Sequence, residues 1–313
     1  MNLVALAGGV GGARLADGLA QAMAPENLTI IVNTGDDFEY LGLYISPDLD
    51  TVCYTLAGLA NPVTGWGRAG DSWQALETLG ELGGPTWFRL GDRDLGLHLE
   101  RTRRLHAGQP LSRVTADFCR AWQIRQTVLP MSDQAVPTWV DSDEGELPFQ
   151  EYFVHRQCHP RVTGFRFEGV EQAHPAPGVL DALQRSELVI FCPSNPWVSL
   201  DPILAIPGIR PALDGRRVVA VSPIVGGQTI KGPAAKMYAE LGIQPSALSV
   251  ARHYHTLLAG FVLDRVDADQ AEAVQGLGIQ PLVTDTVMKT GLDRRRLAEE
   301  VLAFGATLFS RFF

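Results

Sequence analysis

The chain lacks the signatures of several common chemistries. Its four cysteines, Cys53, Cys119, Cys158 and Cys192, include no Cys-x-x-Cys pair, which argues against a zinc site or a disulfide framework and suits a reducing cytoplasm. No Gly-Lys-Ser/Thr triplet occurs, so a P-loop is excluded, and no Gly-x-Ser-x-Gly elbow supports a serine hydrolase. No apolar run reaches the length of a bilayer span, and residues 1–7 lack the basic segment of a signal peptide, so they read as a buried first strand. Nothing here is expected at a membrane.

Positive charge is also scarce. The 26 Lys and Arg against 35 Asp and Glu leave a net charge of -9, the wrong balance for a protein that wraps nucleic acid. The densest basic runs, Arg101 to Arg104 and Arg294 to Arg296, fall in helical spacing and read as solvated helix faces. His98, His106, His253 and His255 also lie in helical patterns without metal-ligand spacing, and read as surface or core residues. There is no internal repeat and no low-complexity linker.

What is present is a recurring alternation. Short apolar runs at 3–7, 29–32, 188–191 and 218–221 each end in a cluster of Gly, Asn, Ser or Asp. Helical patterns lie between them, including Leu15, Leu19 and Met23 on one face and a run at 234–241 after Pro233. Such alternation predicts an α/β chain with a doubly wound, largely parallel, Rossmann-like sheet. All 313 residues fit a single domain. The stretch 95–174, with helices at 95–106 and 111–122 and strand-like pieces such as 162–167, reads as an inserted cap or subdomain. A strand at 281–284 and a final helix at 292–309 complete the pattern. In such sheets ligands bind beyond the carboxyl ends of the strands, where all four polar clusters are expected.

The turn Gly8-Gly9-Val10-Gly11-Gly12-Ala13-Arg14 joins the first strand to the first helix. Glycines there let backbone N–H groups approach an anion, and the helix N-terminus favours negative charge. It is not the dinucleotide fingerprint: Gly9 and Gly11 match, but the third glycine would fall at Arg14, and the second strand ends in Asn33 rather than an acid. The plain alternative is a tight turn with close strand–helix packing. Asp36, Asp37, Asp48 and Asp50 place four carboxylates beside this turn. One or two carboxylates completed by substrate phosphates are the usual Mg²⁺ arrangement, whereas capping of a helix at 52–59 would explain only one of them. The cluster Arg89, Asp92, Arg93, Asp94 follows aromatics and suits an anionic or aromatic ligand, with Asp94 also placed to cap a helix. The loops Ser194-Asn195 and Ser222 to Gly227, with Lys231 beyond, suit a base, a ribose or a diphosphate.

Taken in order, residues 8–15, Asn33 to Asp37, Ser46-Pro47-Asp48-Leu49-Asp50-Thr51, Trp66-Gly67, Leu90 to Asp94, Leu129 to Asp133, Pro193 to Pro196 and Val221 to Pro223 resemble the 2-phospho-L-lactate transferase family over nearly the whole chain. The resemblance implies a step in making coenzyme F420. A guanosine diphosphate-linked three-carbon acid, phospholactyl or enolpyruvyl, gives its phospho-acid portion to the ribityl hydroxyl of the deazaflavin Fo and releases GMP, with Mg²⁺ as the metal. Carried over by motif, Asp50, Arg89 and Asp48 would contact Fo. Gly8, Gly9, Gly11, Gly12, Ser194, Asn195, Ser222 and Gly226 would hold the donor. Asp36, Asp37 and Asp48 would be metal neighbours. Asp50 is the candidate to orient or deprotonate the attacking hydroxyl, in a phosphoryl transfer that needs mainly positioning and charge neutralisation.

The chain departs from the family at Arg14 and Arg89, where lysine is common; arginine keeps the charge and changes the hydrogen-bond geometry. A related family of non-catalytic nucleotide-sugar-binding regulators shares the glycine and Asp-Asp turns, but follows them with Gly-Gly-Ser-Ser where this chain has Phe38-Glu39-Tyr40. The apolar residues Leu308, Phe309, Phe312 and Phe313 suit either an interface, as in a homodimer, or internal packing.

Overall fold

Apolar runs of four or five residues decide the architecture. In the computed structural model, which describes residues 1–308, the parallel sheet comprises Leu3–Ala7 (β1), Leu28–Val32 (β2), Thr127–Pro130 (β3), Leu188–Phe191 (β4), Val218–Val221 (β5), Gly260–Asp264 (β6) and Gln280–Thr284 (β7). Their spatial order is β7-β6-β5-β4-β1-β2-β3, with every pair parallel. β1 is buried along its whole length, as a central strand covered on both faces must be. Its side chains alternate between two cores. Val4 and Leu6 join Ile31, Val189 and Phe191 on one face, and Leu3, Ala5 and Ala7 join Ile30, Val32 and Ile190 on the other. The expected doubly wound α/β fold is therefore present.

The helices that position the site are Gly9–Ala22 (α1), Pro47–Leu56 (α2), Asp92–His106 (α3), Leu111–Ala121 (α4) and Gly291–Thr307 (α5). α1 buries Leu15, Ala16 and Leu19 in the second core, where Leu49, Val52 and Cys53 of α2 and Leu297, Ala298 and Val301 of α5 meet them. α5 opens with a capping box between Thr290 and Asp293. Leu308 is buried, while Phe309, Phe312 and Phe313 lie outside the described residues. No helix among the described residues is long and apolar enough to cross a membrane, and all four cysteines are free.

The sheet itself divides the stretch 95–174. α3 and α4 lead into β3, the edge strand of the parallel sheet, and only then comes an antiparallel sheet of Gly145–Pro148, Thr138–Ser142 and Val162–Phe167. α2 begins earlier than the run at 52–59 suggests, because Pro47 occupies its first turn. Asp48 and Asp50 thus lie inside the first turn and do not cap it.

Gly18 marks the closest approach of α1 to α5, since a Cβ there would lie 2.1 Å from the Arg294 carbonyl oxygen. Alanine would gain at most about 1 kcal/mol of helix propensity. Overpacking against backbone costs about 1–3 kcal/mol, so Gly18→Ala is expected to lower the urea midpoint. An unchanged or raised midpoint would contradict this account of the α1–α5 contact.

Candidate active site at the carboxyl ends of the strands

Strand order reverses between β1 and β4, and at that switch point lies a cavity of about 730 Å³, a size that suits a nucleotide-sized ligand. The glycine turn forms one wall. Gly8 caps α1, and a Cβ on it would sit 2.5 Å from Asp48 Oδ2. Gly9 adopts φ +62°, a left-handed conformation that suits glycine. Gly11 and Gly12 serve packing, with added Cβ atoms at 2.3 Å from the Pro193 carbonyl oxygen and 2.5 Å from Ser194 Oγ. The tight-turn and packing reading is thus realised at Gly11 and Gly12, while Gly8 and Gly9 leave the first turn of α1 open to the cavity. Gly8, Gly9 and Gly11 line the cavity and Gly12 does not.

The acidic loop faces this turn through a residue with no expected role. Asn33 Nδ2 donates to Asp48 Oδ2 at 2.9 Å and to the Val198 carbonyl at 3.0 Å, and reaches Asp36 Oδ1 at 3.3 Å. Asp36 Oδ2 also accepts from the Asp48 backbone N–H at 3.0 Å. Burial pushes the Asp48 carboxyl up to about 6, against the pull of donors that include Asn33 and the Gly9 N–H. Burial and the neighbouring Asp48 charge hold Asp36 well above the carboxylate range. Two buried acids in contact are costly to charge together, so this pair holds a proton or attracts a cation.

Asp37 is elsewhere. It does not line the cavity, and its Oδ2 accepts from Ser46 Oγ at 2.8 Å. The trio Asp36, Asp37, Asp48 is therefore not one cluster, and no group of three or more His, Cys, Asp or Glu among the described residues could hold a metal ion. The two remaining carboxylates are a donor set suited to Mg²⁺ only if phosphate oxygens and water complete the shell.

Asp50 lines the cavity, yet both its oxygens are engaged from below by Arg101. Nη1 donates to Oδ2 at 3.0 Å, and Nη2 donates to Oδ1. Arg101 is 2% exposed, which corrects its expected place on a solvated helix face; Arg103 is the residue of that run that is solvated. The Asp50 charge holds the Arg101 guanidinium above its ordinary value despite burial, so it stays charged. His98 Nδ1 lies 3.3 Å from Arg101 Nη1, and burial with that cation lowers its pKa to about 3, so it is neutral. Asp94, His98 and Arg101 recur at helical spacing on α3, as do Asp50 and Tyr54 on α2. That spacing was the available signal for Arg101 and Tyr54; Asn33 had none beyond its place at a strand end.

The remaining expected residues divide. Arg89 is exposed at the cavity, its guanidinium 4.5 Å from the centre of the Trp73 ring. Arg14 and Lys231 also line the cavity, and burial lowers the pKa of each. Ser194, Asn195 and Ser222 line it too, although their side chains are already engaged. Ser194 Oγ bridges the Gly8 N–H and carbonyl, Asn195 Oδ1 accepts from the Trp197 N–H, and Ser222 Oγ bonds Ile224. Gly226 lies outside the lining, its N–H donating to Asp267 Oδ2. Trp87, Phe88 and the stacked pair Phe149 and Phe153, 5.3 Å apart, add an aromatic surface.

Three comparisons bear on this arrangement. The family described as 2-phospho-L-lactate transferase CofD matches residues 3–298. A phosphoenolpyruvate transferase of Streptomyces griseus is 46% identical over 97% of this chain and 100% of its own length. A 2-phospho-L-lactate transferase of Methanosarcina mazei is 36% identical over 96% and 99%. Among solved structures, a UPF0052 family member from Bacillus halodurans superposes with a TM-score of 0.62 at 15% identity, covering 96% of this chain and 98% of its own, which supports the fold alone.

Two outcomes are expected from this geometry. Arg101→Met leaves Asp50 buried without its partner and should destabilise the chain by about 3–5 kcal/mol in urea unfolding; wild-type stability in that variant would refute the pairing. Asp48 has a folded pKa above its unfolded one, so its ionisation opposes folding increasingly as pH rises from about 4 to about 6. Asp48→Asn should therefore raise stability by about 1–3 kcal/mol at pH 7 and by little at pH 4. A stability loss at pH 7 would reverse the assigned direction.

Proposed function

The chain belongs to the 2-phospho-L-lactate transferase CofD family, and from that premise we propose that it moves a phospholactyl or phosphoenolpyruvyl group from a guanosine diphosphate-linked donor to the ribityl hydroxyl of the deazaflavin Fo, releasing GMP. The observation that carries this reading is the Asp36–Asp48 pair set against the N-terminus of α1 in a cavity that also has an aromatic lining. A helix N-terminus with cations nearby suits phosphates, and aromatic side chains suit a planar tricyclic acceptor.

In this reading the Gly8 to Gly11 turn and the loops at Asn195 and Ser222 hold the donor, with Arg14 and Lys231 neutralising its phosphates. Arg89 and Asp50 meet the acceptor. Mg²⁺ would be held by Asp48 and Asp36 together with donor phosphate oxygens, and when bound it would neutralise charge that builds on those oxygens. The protein then has only to align hydroxyl, phosphorus and leaving group, which is most of what phosphoryl transfer requires.

The test offers Fo with guanosine diphosphate-linked lactate or enolpyruvate and Mg²⁺, and follows products by mass spectrometry. A phosphodiester of Fo and stoichiometric GMP are expected, with turnover lost in EDTA and restored by added Mg²⁺. Binding of the donor without any phosphodiester would overturn the transferase reading and favour a nucleotide-binding regulator.

A further inference from the structure

Four aspartates line the cavity, and three are already committed. Asp36 and Asp48 are tied to each other and to Asn33. Both oxygens of Asp50 are taken by Arg101. The fourth, Asp94, is 6% exposed, and the Tyr54 hydroxyl donates to its Oδ1 at 2.7 Å. Its Oδ2 accepts no hydrogen bond among the described residues. Gly67 lies beside Oδ2, where an added Cβ would stand 3.6 Å away, so no side chain of residue 67 covers this oxygen.

Asp94 also has no capping duty, contrary to its expected place before a helix. Gly91 is the N-cap of α3, Asp71 accepts from the Arg93 and Asp94 N–H groups, and Asp92 accepts from the Gln74 and Ala75 N–H groups. A buried carboxylate with one oxygen held by Tyr54, one free and no capping role is poised to take a proton.

We infer that Asp94, positioned by Tyr54, is the general base that accepts the proton of the attacking hydroxyl; the inference rests on the transferase reading. The hydroxyl oxygen forms a bond to the phosphorus that carries the three-carbon acid. The anhydride bond from that phosphorus to the GMP phosphate oxygen breaks, its electron pair leaving on GMP, and the hydroxyl proton passes to Asp94 Oδ2. Asp50, held by Arg101, then shapes and charges the acceptor site without taking the proton. Burial raises Asp94 to about 6, Asp50 and Asp71 push the same way, and the Tyr54 hydroxyl and Arg68 oppose them. A base with a pKa near the working pH is an effective one.

Steady-state turnover of Fo by wild type, Asp94→Asn, Asp94→Glu and Tyr54→Phe, measured across pH, tests this. Asp94→Asn should lose about 100-fold or more in kcat, with the KM for Fo changed by less than about threefold. The wild-type fall in kcat below about pH 6 should vanish from its residual rate. Tyr54→Phe, lacking the donor that pulls Asp94 down, should move that fall to higher pH, and Asp94→Glu should recover part of the rate. An Asp94→Asn protein with kcat within about threefold of wild type overturns the inference and leaves the transferase reading intact. If Asp94→Asn does not fold, an unshifted pH profile in Tyr54→Phe overturns it instead. Wild type that makes no phosphodiester overturns both.

Discussion

The site hangs on one buried ion pair. Asp50 on α2 and Arg101 on α3 meet where almost no water reaches, and neither helix can shift without stranding a charge. Burying two such groups costs several kcal/mol each, and only the double hydrogen bond offsets it. A hydrophobic pair of equal volume would hold the helices as well. What it would not supply is register: with Asp50 fixed to Arg101, Tyr54 one turn along α2 falls opposite Asp94 on α3. The pair therefore aligns two rungs of polar contact, and Asp50, Tyr54 and Asp94 all line the cavity.

A different economy governs the glycine turn and the acidic loop. Gly8 lets the Asp48 carboxylate approach the first turn of α1, and Asn33 then clamps Asp48 and Asp36 with one amide nitrogen. The resulting pair of acids is costly to ionise without a ligand. Stability given up there is recovered in the apolar cores on both faces of the sheet, whose central strand β1 is buried throughout. Carboxyls perturbed in this way beside a cavity mark a candidate functional site.

The same contrast separates what could be read in advance from what could not. Apolar runs ending in polar clusters are enough for the parallel sheet and for a cavity at its carboxyl ends, because strand burial and βα alternation are local patterns. The motif order from Gly8 to Pro223 was enough for the family. An arginine in an Arg-Thr-Arg-Arg run reads as solvated, and only the buried acid facing it from another helix, Asp50, places Arg101 in the interior. Adjacency in the chain groups Asp37 with Asp36, yet the turn sends their carboxylates to different neighbours, Ser46 and Asp48 respectively.

The sequence by itself thus determined the architecture, the end of the sheet where the cavity lies, and the residue types gathered there, since each depends on periodicity and on the conformational range of single residues. Tertiary structure alone decided which carboxylates are paired, clamped or free. Burial and hydrogen-bond partners set the chemistry of an aspartate, and for Asp36, Asp48, Asp50 and Asp94 many of those partners lie 12 or more residues away along the chain.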